Sequence, residues 1–157
     1  MTPLHRLARY VGRQPWLPAI SSPLAKVDRV LQLRTGGRIA VGRFSDLTAL
    51  LLTTTGRKSG EPRVTPLTAV PDGDCLLLVG SNWGKPGHPS WSANLMANPQ
   101  ATVEIRGHAF PVTARLLTGE ERAQAWTRLV KFWPAYADYA ARTNREIRVF
   151  RTTRNVV

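Results

Sequence analysis

The feature that most restricts this chain is a change of hydrophobic period shortly before residue 50. Upstream, Leu4, Leu7, Ala8 and Val11 fall at helical spacing, with His5, Arg6, Arg9 and Arg13 on other faces. After Pro15 and Pro18 a second helical pattern runs through Leu24, Val27, Val30 and Leu31, with Lys26 and Arg29 between. From Ala49 the pattern becomes short β-rich runs separated by turn residues. A basic amphipathic helical arm over residues 1–43 and one β-rich domain over 44–157 are expected. Such an arm can lie on an anionic membrane, close over a ligand, or pack on its own domain.

The β-rich part reads as six strands. They are Ala49–Thr54, Arg63–Val70, Cys75–Ser81, Ala101–Arg106, a partner run carrying Phe110, Val112, Ala114 and Leu116, and Ile147–Thr153. Gly56–Gly60, Pro71-Asp72-Gly73-Asp74 and Gly107 supply turns. Pro66 has no N–H to give a ladder, so it marks an edge or a bulge. A helix is expected over Ser90–Ala97, after Pro89 and stopped by Asn98-Pro99. A second opens at Thr118-Gly119-Glu120-Glu121, read as a capping box, and buries Ala123, Trp126 and Val130 before Pro134 breaks it. Six strands with interspersed helices predict a closed or half-open barrel with helices outside, a mainly β, α+β fold.

Charge narrows the partners. The 22 Lys and Arg residues against 10 Asp and Glu give a formal +12, which attracts polyanions, anionic membrane surfaces or an acidic small molecule. The basic residues are scattered and lack the interleaved aromatics of a stacking platform, so no nucleic-acid partner is expected. No run approaches the roughly 18 apolar residues of a membrane span, and no signal-peptide pattern follows the first arginines. The single Cys75, in an apolar run, reads as a core residue. A cytoplasmic protein is expected. His5, His88 and His108 show no metal-ligand spacing, and neither paired catalytic carboxylates nor a nucleophile elbow is evident. No metal is expected, and an enzyme of this composition needs a cofactor for the hard step.

Three segments carry the chemical interest. In Thr54-Thr55-Gly56-Arg57-Lys58-Ser59-Gly60-Glu61-Pro62-Arg63, two glycines turn the backbone and expose N–H groups, while Arg57, Lys58 and Arg63 surround the turn with charge. A phosphate or carboxylate suits it, and a solvated hairpin accounts for it equally well. Gly80 to Trp91 leads from a strand into a helix N-terminus, where Trp91 and Asn94 share a face. Trp91 can press on a flat ring with Asn94 bonding nearby, or Trp91 can be core and Asn94 a helix-end bond. In the third, Tyr136 and Tyr139 share a face if the segment is helical, either for packing or to donate a hydrogen bond or proton.

Taken in order, these segments resemble the deazaflavin-dependent nitroreductase and quinone reductase family of actinobacteria. The matching text is Leu51 to Arg63, then Pro66-Leu67, Gly80-Ser81-Asn82-Trp83-Gly84, His88-Pro89-Ser90-Trp91, Asn94-Leu95 and Ala97-Asn98-Pro99. The resemblance spans about Ala49 to Phe150. It implies a split β-barrel of the flavin-reductase type and the reduced deazaflavin coenzyme F420 as hydride donor. It places Arg57, Lys58, Ser59 and Arg63 at the coenzyme phosphate, and Val64, Thr65, Pro66, Leu67 and Thr68 under the ring. Val79, Gly80, Ser81 and Asn82 line the ring edge, and Ser90, Trp91 and Asn94, with the backbone of Ser92 and Ala93, complete the pocket. Tyr136 resembles an aromatic that closes the site, and Ser81 and Tyr136 are the expected catalytic hydrogen-bond donors.

The implied reaction is hydride transfer to a quinone-like, nitro or other electrophilic small molecule. A non-catalytic cofactor or lipid carrier on the same barrel is the alternative. Trp133 stands where some quinone-reducing members have tyrosine, which implies a reshaped acceptor pocket. The arm resembles, weakly in sequence, family helices that associate with membranes or cover the site. Peripheral contact with the inner face of the cell membrane through residues 1–43, and a homodimer through an exposed barrel edge, are the remaining expectations.

Overall fold

The computed structural model describes residues 47–156, together with residues 6, 7, 10, 11, 13, 14, 26, 27, 30, 31, 34 and 35. Six antiparallel strands close into a barrel: β1 (Thr48–Thr55), β2 (Pro62–Asp72), β3 (Cys75–Val79), β4 (Gln100–Ile105), β5 (His108–Leu116) and β6 (Val149–Arg154). Their order around the barrel is β1-β2-β3-β6-β5-β4. Among the described residues after the arm, three α-helices accompany them: α1 (Ser90–Ala97), α2 (Gly119–Phe132) and α3 (Ala135–Ala141).

Alternation along the strands divides the core in two. Ala69, Leu78 and Phe150 join Leu50, Leu52, Val103 and Val112 inside the barrel. Their chain neighbours Val70, Leu77 and Val149 point the other way, under Leu129 of α2 and Tyr136 and Tyr139 of α3. Strands buried on both faces explain why Cys75–Val79 is continuously apolar. Helix α1 belongs to the inner cluster, because its Trp91 and Leu95 pack with the barrel residues. Burial of each such large side chain contributes about 1.5–3 kcal/mol.

The register leaves its longest one-sided stretch, a gap in the ladder, on β2. Strand β2 pairs with β1 along its length from Thr48↔Ala69 to Thr55↔Pro62. With β3 it pairs only from Ala69↔Leu78 to Asp72↔Cys75. The stretch Pro62–Thr68 is thus covered on one side alone, and Pro66, opposite Leu51, sits in it. Its missing N–H costs nothing at such an edge. Beyond Val79 the chain leaves the ladder, and the barrel is split there.

Several local expectations are corrected. Thr118 is the N-cap of α2 but makes no side-chain capping bond, and Glu121 turns to Arg115 at 2.7 Å and Arg151 at 2.7 Å. The buried stripe of α2 is Ala125 and Leu129, with Trp126 and Val130 at its margin and Ala123 exposed. Cys75 is half-buried, not a sealed core thiol; it lines a shallow cavity at the far end of the barrel with Phe110 and Arg154. The barrel closes, with one-sided pairing at Pro62–Thr68 and at His108–Pro111, so among the described residues no full strand is left as an edge for self-association.

In the arm, the described residues Leu7, Val11, Val27, Val30 and Leu31 have helical backbone. Leu4, His5, Ala8, Arg9, Pro15, Pro18, Leu24 and Arg29 lie outside the described residues. Arg13 ties the arm to α3: its Nε donates to Asp138 Oδ2 at 2.8 Å, and its carbonyl accepts from Arg142 Nη2 at 2.9 Å. Leu7, Tyr10, Val27 and Val30 are exposed.

Candidate functional site

The gap is bordered by two of the segments singled out from sequence. The first is the turn after β1. The Gly56 N–H donates to Glu61 O at 2.8 Å, and the Gly60 N–H to Gly56 O at 2.7 Å. A Cβ on Gly56 would lie 2.6 Å from Ser59 Oγ and 3.1 Å from the Glu61 carbonyl, so a side chain here displaces the serine hydroxyl that closes the turn. The Glu61 N–H donates to Ser59 Oγ at 3.2 Å and the Arg57 N–H to Asn94 Oδ1 at 3.2 Å. The nest of open N–H groups expected here is therefore largely closed by internal bonds. What the turn offers an anion is side-chain charge. Arg57, Lys58 and Arg63 are exposed, and among the described residues none of them is in an ion pair. Arg57 Nη1 reaches Asn94 Oδ1 at 3.4 Å, and Arg63 Nη2 donates to Ser59 Oγ at 3.3 Å.

Asn94 joins this turn to the barrel. It is 5% exposed, and its Nδ2 donates to Thr54 Oγ1 at 3.1 Å while its Oδ1 receives Arg57. Both ends of the amide are used inside the protein, so it makes no helix-end bond, and one of its two Nδ2 hydrogens is engaged. Trp91, also 5% exposed, packs on Phe150 with centroids 5.8 Å apart. The shared face of α1 is a core face. Ser92 is buried, donates to Pro89 O at 2.8 Å and receives Arg148 Nη1 at 3.3 Å. Ala93 is half-buried and Ser90 exposed.

The second border is the loop after β3. Gly80 N–H still donates to Arg148 O at 2.8 Å. Then Asn82, Trp83 and Gly84 adopt left-handed backbone in succession, with φ of 47°, 58° and 78°. Such angles are costly for Asn82 and more so for Trp83. Gly84 is obligatory, because a Cβ there would meet Tyr139 O at 2.7 Å. Asn82 Nδ2 donates to Gly87 O at 2.9 Å, and Trp83 sets its edge against Tyr139 at 5.9 Å.

Arg145 grips this loop, and nothing in the sequence pattern pointed to it. Its Nη1 donates to Gly80 O at 3.0 Å, Nη2 to Ser81 O at 2.8 Å and Nε to Lys85 O at 3.2 Å. Nη1 also meets His88 Nδ1 at 3.3 Å. Burial, then Arg148 and Arg145, hold the His88 pKa below its ordinary value, so the ring stays neutral and Nδ1 can accept. The signal lay in a bond partner more than fifty residues away.

Of the remaining expected residues, Val64, Thr65, Pro66 and Leu67 are half-buried and Thr68 exposed, on the uncovered side of β2. Val79, Ser81 and Asn82 are half-buried across the gap. Tyr136 is 4% exposed, between Trp126 at 6.4 Å and Tyr139 at 6.3 Å. Burial pushes its phenol well above the ordinary range and moves that of Tyr139 up to about 12, so both keep their protons.

The model of the F420H(2)-dependent quinone reductase family matches residues 25–154. The chain belongs to that family. It is 36% identical over 152 residues to the F420H(2)-dependent quinone reductase Rv1261c of Mycobacterium tuberculosis, covering 94% of this chain and 95% of the relative. A solved structure of an F420-H2 dependent reductase, FDR-A, is 42% identical with a TM-score of 0.61, over 68% of this chain and 94% of the other. Another, described as a domain-swapped dimer, is 38% identical with a TM-score of 0.63, over 82% and 94%. This F420H(2)-dependent quinone reductase family member is therefore an oxidoreductase with a split barrel, and coenzyme F420 is its hydride carrier. The residues present fit an anionic coenzyme: the gap beside β2 ends in three exposed cations with no carboxylate paired to them among the described residues.

Proposed function

We propose that the gap beside β2 seats the deazaflavin, with its acidic tail on Arg57, Lys58, Ser59 and Arg63. Val64 to Thr68 then run under the ring system and Val79 to Asn82 along its edge, with the Ser90–Asn94 turn of α1 behind them. One observation carries this reading: an uncovered strand edge and uncompensated positive charge meet at the longest break in the barrel ladder. When bound, the reduced coenzyme supplies one hydride, and a quinone-like, nitro or other electrophilic acceptor takes it up with a proton. The chain's own part is to orient and to exclude water. The Ser81 hydroxyl and the Tyr136 phenol, protonated by burial, act as hydrogen-bond donors to the acceptor or to the coenzyme carbonyl.

Fluorescence titration with the deazaflavin tests the placement. An Arg57→Ala, Lys58→Ala double variant should bind more than roughly tenfold more weakly than wild type. Equal affinities would remove the basis of the reading. Turnover unchanged in both Ser81→Ala and Tyr136→Phe would remove those two from the chemistry.

For the arm, over residues 1–43, we infer peripheral contact with the inner face of the cell membrane. Exposed Leu7, Val27 and Val30 beside Arg6, Lys26 and Arg34 support it, and no described helix is long and apolar enough to cross a membrane. Flotation with anionic but not neutral vesicles is the expected result. A homodimer is supported by the similar structure described as a domain-swapped dimer, and sedimentation measures it.

A further inference from the structure

The loop after β3 bends through three left-handed residues, two of which carry side chains. Something must hold it there. Its own bonds are few: Gly84 N–H to Ser81 O at 2.9 Å, Lys85 N–H to Asn82 O at 3.0 Å, and the Asn82 side chain to Gly87 O. Arg145 adds the carbonyls of Gly80, Ser81 and Lys85 and the His88 ring, four acceptors on one guanidinium. Among the described residues Arg145 pairs with no carboxylate, so its charge is committed to the loop.

The direction of those bonds matters. The peptides are trans, so each amide N–H points opposite to the carbonyl before it. Gly80 sends both its N–H and its carbonyl toward the β6 side, to Arg148 O and Arg145. The Ser81 N–H therefore points away from Arg145. The Ser81 carbonyl also goes to Arg145, so the Asn82 N–H points away from that guanidinium. No hydrogen bond among the described residues uses either N–H. Charge-assisted bonds to the two carbonyls also polarise these peptides, making their N–H groups stronger donors.

We propose that Arg145 is a positioning residue of the hydride-transfer site, which gathers the loop carbonyls and thereby presents the Ser81 and Asn82 amides as a donor pair to the electron-rich oxygen edge of the bound ring. The inference rests on the coenzyme seating proposed above. An amide pair of this kind holds the ring by its carbonyl oxygens and so orients it for hydride transfer. Lysine cannot replace arginine here, because one ammonium does not reach three carbonyls in a fixed fork.

The test compares Arg145→Gln, Arg145→Lys, Ser81→Ala and Ser81→Pro with wild type, reading three quantities. These are deazaflavin affinity by fluorescence, the melting temperature of the coenzyme-free protein, and amide exchange of residues 80–88. Ser81 has φ of −66°, the proline value, so Ser81→Pro deletes its N–H without forcing that angle. We expect both Arg145 variants to bind about tenfold more weakly and to exchange faster only at 80–88, with no rescue by lysine. We expect Ser81→Pro to bind about fivefold more weakly than Ser81→Ala. Unchanged affinity in Arg145→Gln, or full rescue by lysine, overturns the positioning role. Equal affinities of Ser81→Pro and Ser81→Ala overturn the donor pair, and do so even if the arginine variants fail to fold. If the Arg57→Ala, Lys58→Ala variant also binds normally, the coenzyme seating itself is wrong; if only that variant is impaired, the seating stands and the Arg145 proposal falls.

Discussion

The turn Gly56–Gly60 and the loop Gly80–His88 border the same gap and are held by different means. The turn closes on itself through Gly56, Gly60, Glu61 and Ser59, and needs one outside residue, Asn94. The loop makes few bonds of its own and relies on α3 and the segment that follows it, through the Tyr139 carbonyl packed on Gly84 and through Arg145 and Arg148. A self-closed turn displays its cations at fixed places without further support. A loop held from outside can keep strained backbone, and the fold, not the local sequence, sets its shape.

That contrast can be broken at single residues. The largest effect is expected at Gly84, where alanine combines left-handed backbone with a Cβ 2.7 Å from a carbonyl. Gly84→Ala should cost about 3 kcal/mol or more, read by urea unfolding. A loss below about 1 kcal/mol would show that the loop relaxes freely and is not held from outside. Asn94→Ala comes next. It leaves the Thr54 hydroxyl and the Arg57 N–H without their partner, at a cost of about 2–3 kcal/mol. Deazaflavin affinity should fall with it, because Arg57 loses its anchor; stability lost with affinity intact would separate the turn from the site.

Gly60 sharpens the comparison from the other side. Its φ is 72°, but nothing lies within 4 Å of an added Cβ. Gly60→Ala should therefore cost only about 1–2 kcal/mol, the backbone penalty alone, and matching losses at Gly60 and Gly84 would erase the distinction. The smallest effect concerns His88. Its folded pKa is lowered below 6.5 by burial, Arg148 and Arg145. Well above pH 6.5 both states hold it neutral and it contributes nothing to the pH dependence. Below that, the unfolded chain takes up a proton the fold resists, so stability falls as pH drops through 6.5, until the folded ring is protonated as well. Melting curves of wild type and His88→Gln should differ in slope only in that acid window; parallel curves throughout would mean that His88 is not coupled to the arginines.

The fold was largely readable because its determinants are local. Ser90–Ala97 was bounded by Pro89 and Asn98-Pro99, and the six strands by glycine and proline turns; their observed limits differ from expectation by only a few residues. Errors appear where tertiary partners compete. Glu121 abandoned the capping box for two arginines on neighbouring strands. The bonds that anchor Asn94 were equally illegible, because both ends of its amide meet residues about forty positions away.

By itself, the sequence determined the strand runs, their turns, the helix limits and the cluster of cations after β1, because periodicity, φ preference and charge belong to neighbouring residues. Only the tertiary structure decided that β3 stops short of covering Pro62–Thr68, that Trp91 is core, and that Arg145 holds the loop across the gap. Those outcomes depend on which groups meet through space, and a guanidinium among several carbonyls leaves no mark in the spacing of the chain.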